Sequence, residues 1–149
     1  MIIEQTISVP APCEVVWDFV MDLSVVAQCV PGVESVERID PDLYMGTLRT
    51  RVGPVSVRFE GKVSVVERNR EVWRARLQMQ GIDRRSGSVS ANTTMTLVPR
   101  ENATTAMRVH IDATVFGKLG EFGQPIIRRR ANQILRQFSA NLANQLGSP

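Results

Sequence analysis

The chain has 149 residues, the size range of one domain and long enough to bury a core without disulfide or metal staples. With 43% apolar and 22% charged residues it has the balance of a folded globular protein, which excludes a disordered tail. Two cysteines and a single histidine exclude the common zinc frameworks, and a net charge of +3 spread over many segments, with few aromatics and no nucleic-acid motif, argues against DNA or RNA as a partner.

The opening residues, Met1-Ile2-Ile3-Glu4-Gln5-Thr6, carry neither the basic start nor the apolar stretch and cleavage site of a secretory signal. No run approaches the roughly eighteen apolar residues that a membrane-spanning helix needs. A cytoplasmic protein is expected, with Cys13 and Cys29 as reduced, buried thiols among apolar neighbours.

Ile3, Ile7 and Val9 share one face of the first segment, interrupted by Gln5, while Glu4, Thr6 and Ser8 alternate with them; this is a half-buried strand ending at Pro10. Pro12 suits a first helical position, and Val15, Val16, Phe19 and Val20 recur at helical spacing with Trp17 close by, so a short helix follows. A second short helix is expected over Leu23 to Gln28, stopped by Pro31-Gly32. Beyond it the period changes to two. Val55, Val57, Phe59, Gly61, Val63 and Val65 oppose Ser56, Arg58, Glu60, Lys62 and Ser64. Trp73, Ala75, Leu77 and Met79 oppose Arg74, Arg76, Gln78 and Gln80; Met107, Val109, Ile111, Ala113 and Val115 oppose Arg108, His110, Asp112 and Thr114. One dry and one wet face per strand imply an antiparallel sheet.

Turn-forming residues at Asp40-Pro41-Asp42, Val52-Gly53-Pro54, Arg68-Asn69-Arg70, Ser86-Gly87 and from Pro99 to Asn102 make six consecutive strands a meander, and without helices between them parallel crossovers are excluded. From Lys118 strand character disappears. Phe122, Ile126, Ile127, Ile134, Leu135, Phe138, Leu142 and Leu146 then repeat at three and four as one face of a long amphipathic helix, which Pro125 either starts or kinks. The element order specifies an α+β helix-grip fold over residues 1–149 as a single domain. It is a seven-stranded curved antiparallel sheet, with two short helices after strand 1, closed over a C-terminal helix that spans about 30 Å at about 1.5 Å per residue.

The inner face mixes large side chains (Phe59, Trp73, Leu77, Met79, Met95) with small ones (Gly46, Gly61, Ala75, Ala91, Ala113). Two readings stay open: a helix that stands off the sheet leaves an apolar hollow, and a helix that packs closely makes a solid core. Met79, Met95 and Met107 all fall on inward positions, where a flexible thioether either adapts to a hydrophobic guest or fills a core. The residues expected to line a hollow are Phe59, Trp73, Leu77, Met79, Met95, Met107, Val109, Phe122, Ile126 and Phe138. No catalytic or metal-ligating residue is assigned. His110 alternates onto the outer face beside Asp112, and no titratable group is expected inside. Gly81 to Gly87 and Gly117 to Gly120 lack the spacing of a phosphate-binding loop. Asp83-Arg84-Arg85 reads as a charged loop, either at the rim of a pocket or simply solvated.

Several short motifs recur in a recognisable order: Cys29-Val30-Pro31-Gly32-Val33-Glu34, Tyr44-Met45-Gly46, Val52-Gly53-Pro54, Phe59-Glu60-Gly61, Gly87-Ser88, Leu97-Val98-Pro99, Val115-Phe116-Gly117-Lys118-Leu119 and Phe122-Gly123. Across essentially the whole chain they resemble the family of the carbon monoxide dehydrogenase G protein, CoxG. The resemblance implies a START/Bet v 1-like fold of the SRPBCC superfamily, which agrees with the element order. It also implies a non-enzymatic protein that accompanies a molybdenum hydroxylase of the carbon monoxide dehydrogenase type and makes peripheral contact with the cytoplasmic membrane. Its ligand would be a membrane-derived lipophile, a respiratory quinone such as menaquinone or ubiquinone, linking that enzyme to the electron-transport chain. No intrinsic cofactor is implied; the redox chemistry belongs to the quinone and the partner. The alternative is an adaptor that recruits or assembles the dehydrogenase and binds no ligand. Family members often continue into a tail with a membrane anchor, whereas these residues stop at Gly147-Ser148-Pro149 and supply no basis for anchoring.

Overall fold

A computed structural model describes residues 1–147; Ser148 and Pro149 lie outside the described residues. The period-two segments become β1 (Ile2–Val9), β2 (Val33–Asp40), β3 (Leu43–Val52), β4 (Val55–Asn69), β5 (Arg74–Asp83), β6 (Gly87–Arg100) and β7 (Thr104–Phe116). They form one antiparallel sheet in the order β1-β7-β6-β5-β4-β3-β2. β2 to β7 make the expected meander, and β1 adds beside β7 with Ile7 opposite Met107.

The first two strands therefore lie at opposite edges, and the chain between them crosses one end of the sheet. It crosses as α1 (Cys13–Val20), α2 (Leu23–Val26) and a 3-10 turn (Ala27–Cys29). α1 starts directly after Pro12, where a missing N–H costs nothing, and buries Cys13, Val16, Trp17 and Val20. The second helix is split rather than continuous to Gln28, because the tighter 3-10 turn reverses the chain ahead of Pro31.

Two features curve the sheet. Gly46, Gly61 and Gly81 stand in one row across β3, β4 and β5. A Cβ on Gly46 would lie 2.2 Å from the Ser35 carbonyl oxygen of β2, and one on Gly81 would lie 3.2 Å from the Phe59 ring. The backbones can approach and bend there only because side chains are absent. At Gly46, then, the small residue serves close packing. A register shift between Val65 and Glu67 adds a second bend.

After β7 come a one-turn helix, α3 (Lys118–Glu121), and the long α4 (Gln124–Gly147). Gly123, at φ +81°, breaks the chain between them, and Pro125 lies in the first turn of α4, so the proline starts the helix and does not kink it. Trp73 departs from its expected place as the first inward residue of the fifth strand. It closes a 3-10 turn (Arg70–Val72) with φ +53°, in the left-handed region, and β5 begins at Arg74. Edge-to-face packing on Trp17 (5.7 Å between ring centroids) and the Arg70 guanidinium 5.4 Å from its ring offset that backbone cost.

Candidate functional site

α4 lies over the concave face, closest to β1, with lesser approaches to β3 and to the 3-10 turn after α2. Of the described residues of α4, Leu142 alone is fully buried; Ile134, Leu135, Phe138 and Leu146 are half-buried. A second tie to β1 is polar. Gln5, which interrupts the apolar face of the first strand, donates through Nε2 to Asn132 Oδ1 at 3.0 Å.

The apolar side chains of this face gather in three clusters. One fills the end plugged by α1 and includes Val9, Val16, Trp17, Met95, Met107 and Leu142. A small second cluster joins Leu23, Tyr44 and Val65, and a third at the far end joins Val52, Val57 and Leu119. Between them the register sets Met79 beside Ala91 and Ala91 beside Ala113, and in the next row Leu77, Thr93 and Ile111. Met79, Ala91, Ile111 and Ala113 belong to none of the clusters. A domain usually has one contiguous core, so a divided core with a strip of small residues in its middle is unusual.

The ten residues expected to line a hollow are distributed over these regions. Trp73, Met95, Met107, Val109 and Phe138 belong to or pack on the plugged-end cluster, where Met107 is only 2% exposed. Leu77 packs on the second cluster, and Phe59 and Phe122 on the third. Met79 sits in the central strip. Ile126 is 40% exposed near the β3–β4 turn, where its side chain comes within 3.7 Å of the Cβ position of Gly53.

Polar residues of this face were not read from the sequence. Thr93, in the central strip, is 7% exposed and its hydroxyl has no partner among the described residues. Thr50 is equally buried and accepts a hydrogen bond from Arg130 Nε at 2.7 Å. The expectation that no titratable group faces inward is therefore corrected: α4 sends a guanidinium under β3. Other groups lie as expected. His110 is on the convex face, 3.4 Å from Glu4. Cys13 and Cys29 are free and buried, and burial pushes the Cys29 thiol up, away from nucleophilic thiolate.

Asp83 accepts backbone N–H bonds from Arg58 (2.7 Å), Arg85 (2.7 Å) and Ser86 (3.1 Å). These amides, that of Arg58 foremost, hold its carboxyl below the usual range, so it shapes the β5–β6 turn as an anion. A separate cleft of about 330 Å³ lies between α1, the 3-10 turn and the end of α4. Gln28, Asn141, Asn144 and Gln145 line it with carboxamides, which makes it a poor seat for an apolar guest. Among the described residues no cluster of His, Cys, Asp and Glu could hold a metal, and no helix is long and apolar enough to cross a membrane.

Residues 6–147 match the family of the carbon monoxide dehydrogenase G protein (CoxG). The chain belongs to that family. No curated protein matches this CoxG-family sequence. Among solved structures it is similar to a conserved protein from Geobacillus kaustophilus, at 22% identity over 99% of this chain and 95% of that one, with a TM-score of 0.90. A START superfamily protein from Mycobacterium smegmatis matches at 16% identity over 98% and 97% of the two chains, with a TM-score of 0.74. Norcoclaurine synthase from Thalictrum flavum matches at 16% identity over 100% and 87%, with a TM-score of 0.68. At such identities the likeness shows the fold, a START/Bet v 1-like helix grip, which is the fold expected from the element order.

Proposed function

We propose that this CoxG-family protein carries an apolar small molecule between α4 and the concave face. A respiratory quinone, menaquinone or ubiquinone, is the leading ligand. The carrier would link a molybdenum hydroxylase of the carbon monoxide dehydrogenase type to the membrane electron-transport chain, from the cytoplasm with peripheral access to the membrane. The observation that carries this reading is the divided core. The strip of Met79, Ala91, Ile111 and Ala113 belongs to no apolar cluster although α4 lies over the same face. A guest there would supply the missing packing partners.

Burying roughly 300 Å² of isoprenoid tail at about 25 cal/mol per Å² gives about 8 kcal/mol before ordering costs, enough to hold a lipid without covalent chemistry. The family supports a dehydrogenase partner, and the START-like fold supports a small-molecule role. A fold hosts many functions, so the choice of ligand rests on the strip itself.

Native mass spectrometry with organic extraction tests the proposal. The expected result is a bound lipophile of defined mass that is lost on extraction, and that Ala113→Phe no longer retains. A folded protein that emerges empty and takes up no added quinone would exclude the carrier. It would leave the adaptor, for which dehydrogenase capture is unaffected by Ala113→Phe.

A further inference from the structure

Near its start α4 carries Arg128-Arg129-Arg130, three cations in a row toward the helix end where the backbone dipole is positive. Among the described residues none of the three forms an ion pair. Arg128 donates to the Ile2 carbonyl at the sheet edge, and Arg129 is half-buried. Arg130 turns inward. Its Nε donates to Thr50 Oγ1 at 2.7 Å and its Nη1 to Gln133 Oε1 at 3.3 Å, which leaves Nη2 without a partner among the described residues.

Thr50 lies opposite Val57 and two residues from Val52, both members of the far-end apolar cluster. The guanidinium thus meets a buried hydroxyl at the edge of an apolar face and is bonded only to neutral groups. A partly desolvated cation with no counter-ion is costly, and an oxyanion supplied by a ligand would relieve that cost. A planar guanidinium fork matches a carboxylate in two hydrogen bonds.

We propose that Arg130 and Thr50 form a headgroup anchor, so that besides neutral quinones the protein takes lipophiles headed by an anionic oxygen, long-chain carboxylic acids foremost. The head sits at the α4–β3 seam and the tail runs toward the central strip. The inference rests on the apolar space proposed above and adds a charged stop at one end of it.

Displacement of Nile red by hexadecanoic acid and by hexadecanol, at pH 8 and below their aggregation limits, tests it on the wild type, Arg130→Met and Arg130→Lys, with folding followed by circular dichroism. On the wild type the acid binds about tenfold tighter than the alcohol. Arg130→Met brings the acid down to the alcohol and leaves the alcohol within about twofold, while Arg130→Lys, which keeps the charge but not the fork, retains part of the preference. Equal binding of the two probes to the wild type, or equal weakening of both in Arg130→Met, overturns the anchor and leaves the apolar space standing. Failure of both probes on folded wild type overturns the space itself. Should Arg130→Met not fold, the wild-type difference and the lysine variant decide.

Discussion

The plugged end and the middle of the concave face share strands but not packing. At the plugged end Val9, Val16, Met107 and Leu142 are at most 2% exposed and lock α1, β1, β7 and α4 together. Four residues along β7 from Met107, Ile111 is half-buried and outside every cluster, as is Met79 on β5. The contrast separates two tasks. Close packing at one end holds helix to sheet, which frees the middle to be shaped for a guest.

The largest expected effect is at the closed end. Leu142→Ala should cost about 3 kcal/mol, because it opens a cavity that the surrounding interlock cannot collapse. By calorimetry that is a fall of about 10 °C in Tm. Ile111→Ala, in the middle, should cost half of that or less, and equal losses at the two sites would erase the contrast. Next comes Ala113→Phe. In an open strip the ring is accommodated for less than about 1 kcal/mol, whereas in a solid core overpacking costs about 1–3 kcal/mol, and chemical denaturation distinguishes the two. Thr93→Val should gain up to about 1 kcal/mol in the ligand-free protein, since it removes a buried hydroxyl without a partner among the described residues.

The smallest effect lies outside the contrast, at Asp83, a surface carboxylate. Its folded-state pKa is depressed, so the ionised form favours the fold at neutral pH, and that contribution shrinks as the pH falls below about 4. Urea midpoints of the wild type and Asp83→Asn should therefore differ slightly at pH 7 and converge in acid; a gap that is unchanged in acid would refute the role of the three amides.

The face of each inward residue was legible in the sequence, but its depth was not. Alternation told that Met95, Met107 and Met79 point inward, yet the first two are sealed in the plugged end and only Met79 reaches the middle. Period two assigns a side, and position along the face depends on which end the crossing helices plug. The row of Gly46, Gly61 and Gly81 exists only through cross-strand register, which no single segment displays. α3 is one turn long, too short for a periodic signal. Ile126 keeps the helical period but belongs to the first turn of α4, beyond the cover of the sheet. Arg130 was hidden in a run of arginines that reads as a solvated face, and only its geometry against Thr50 sets it apart.

A crystal structure under xenon pressure tests the middle of the face most directly, since xenon occupies dry apolar voids. The expected result is a xenon atom bounded by Met79, Ala91, Ile111 and Ala113 in the wild type and absent from Ala113→Phe. Those four side chains in van der Waals contact with α4, with no xenon between helix and sheet, would contradict it.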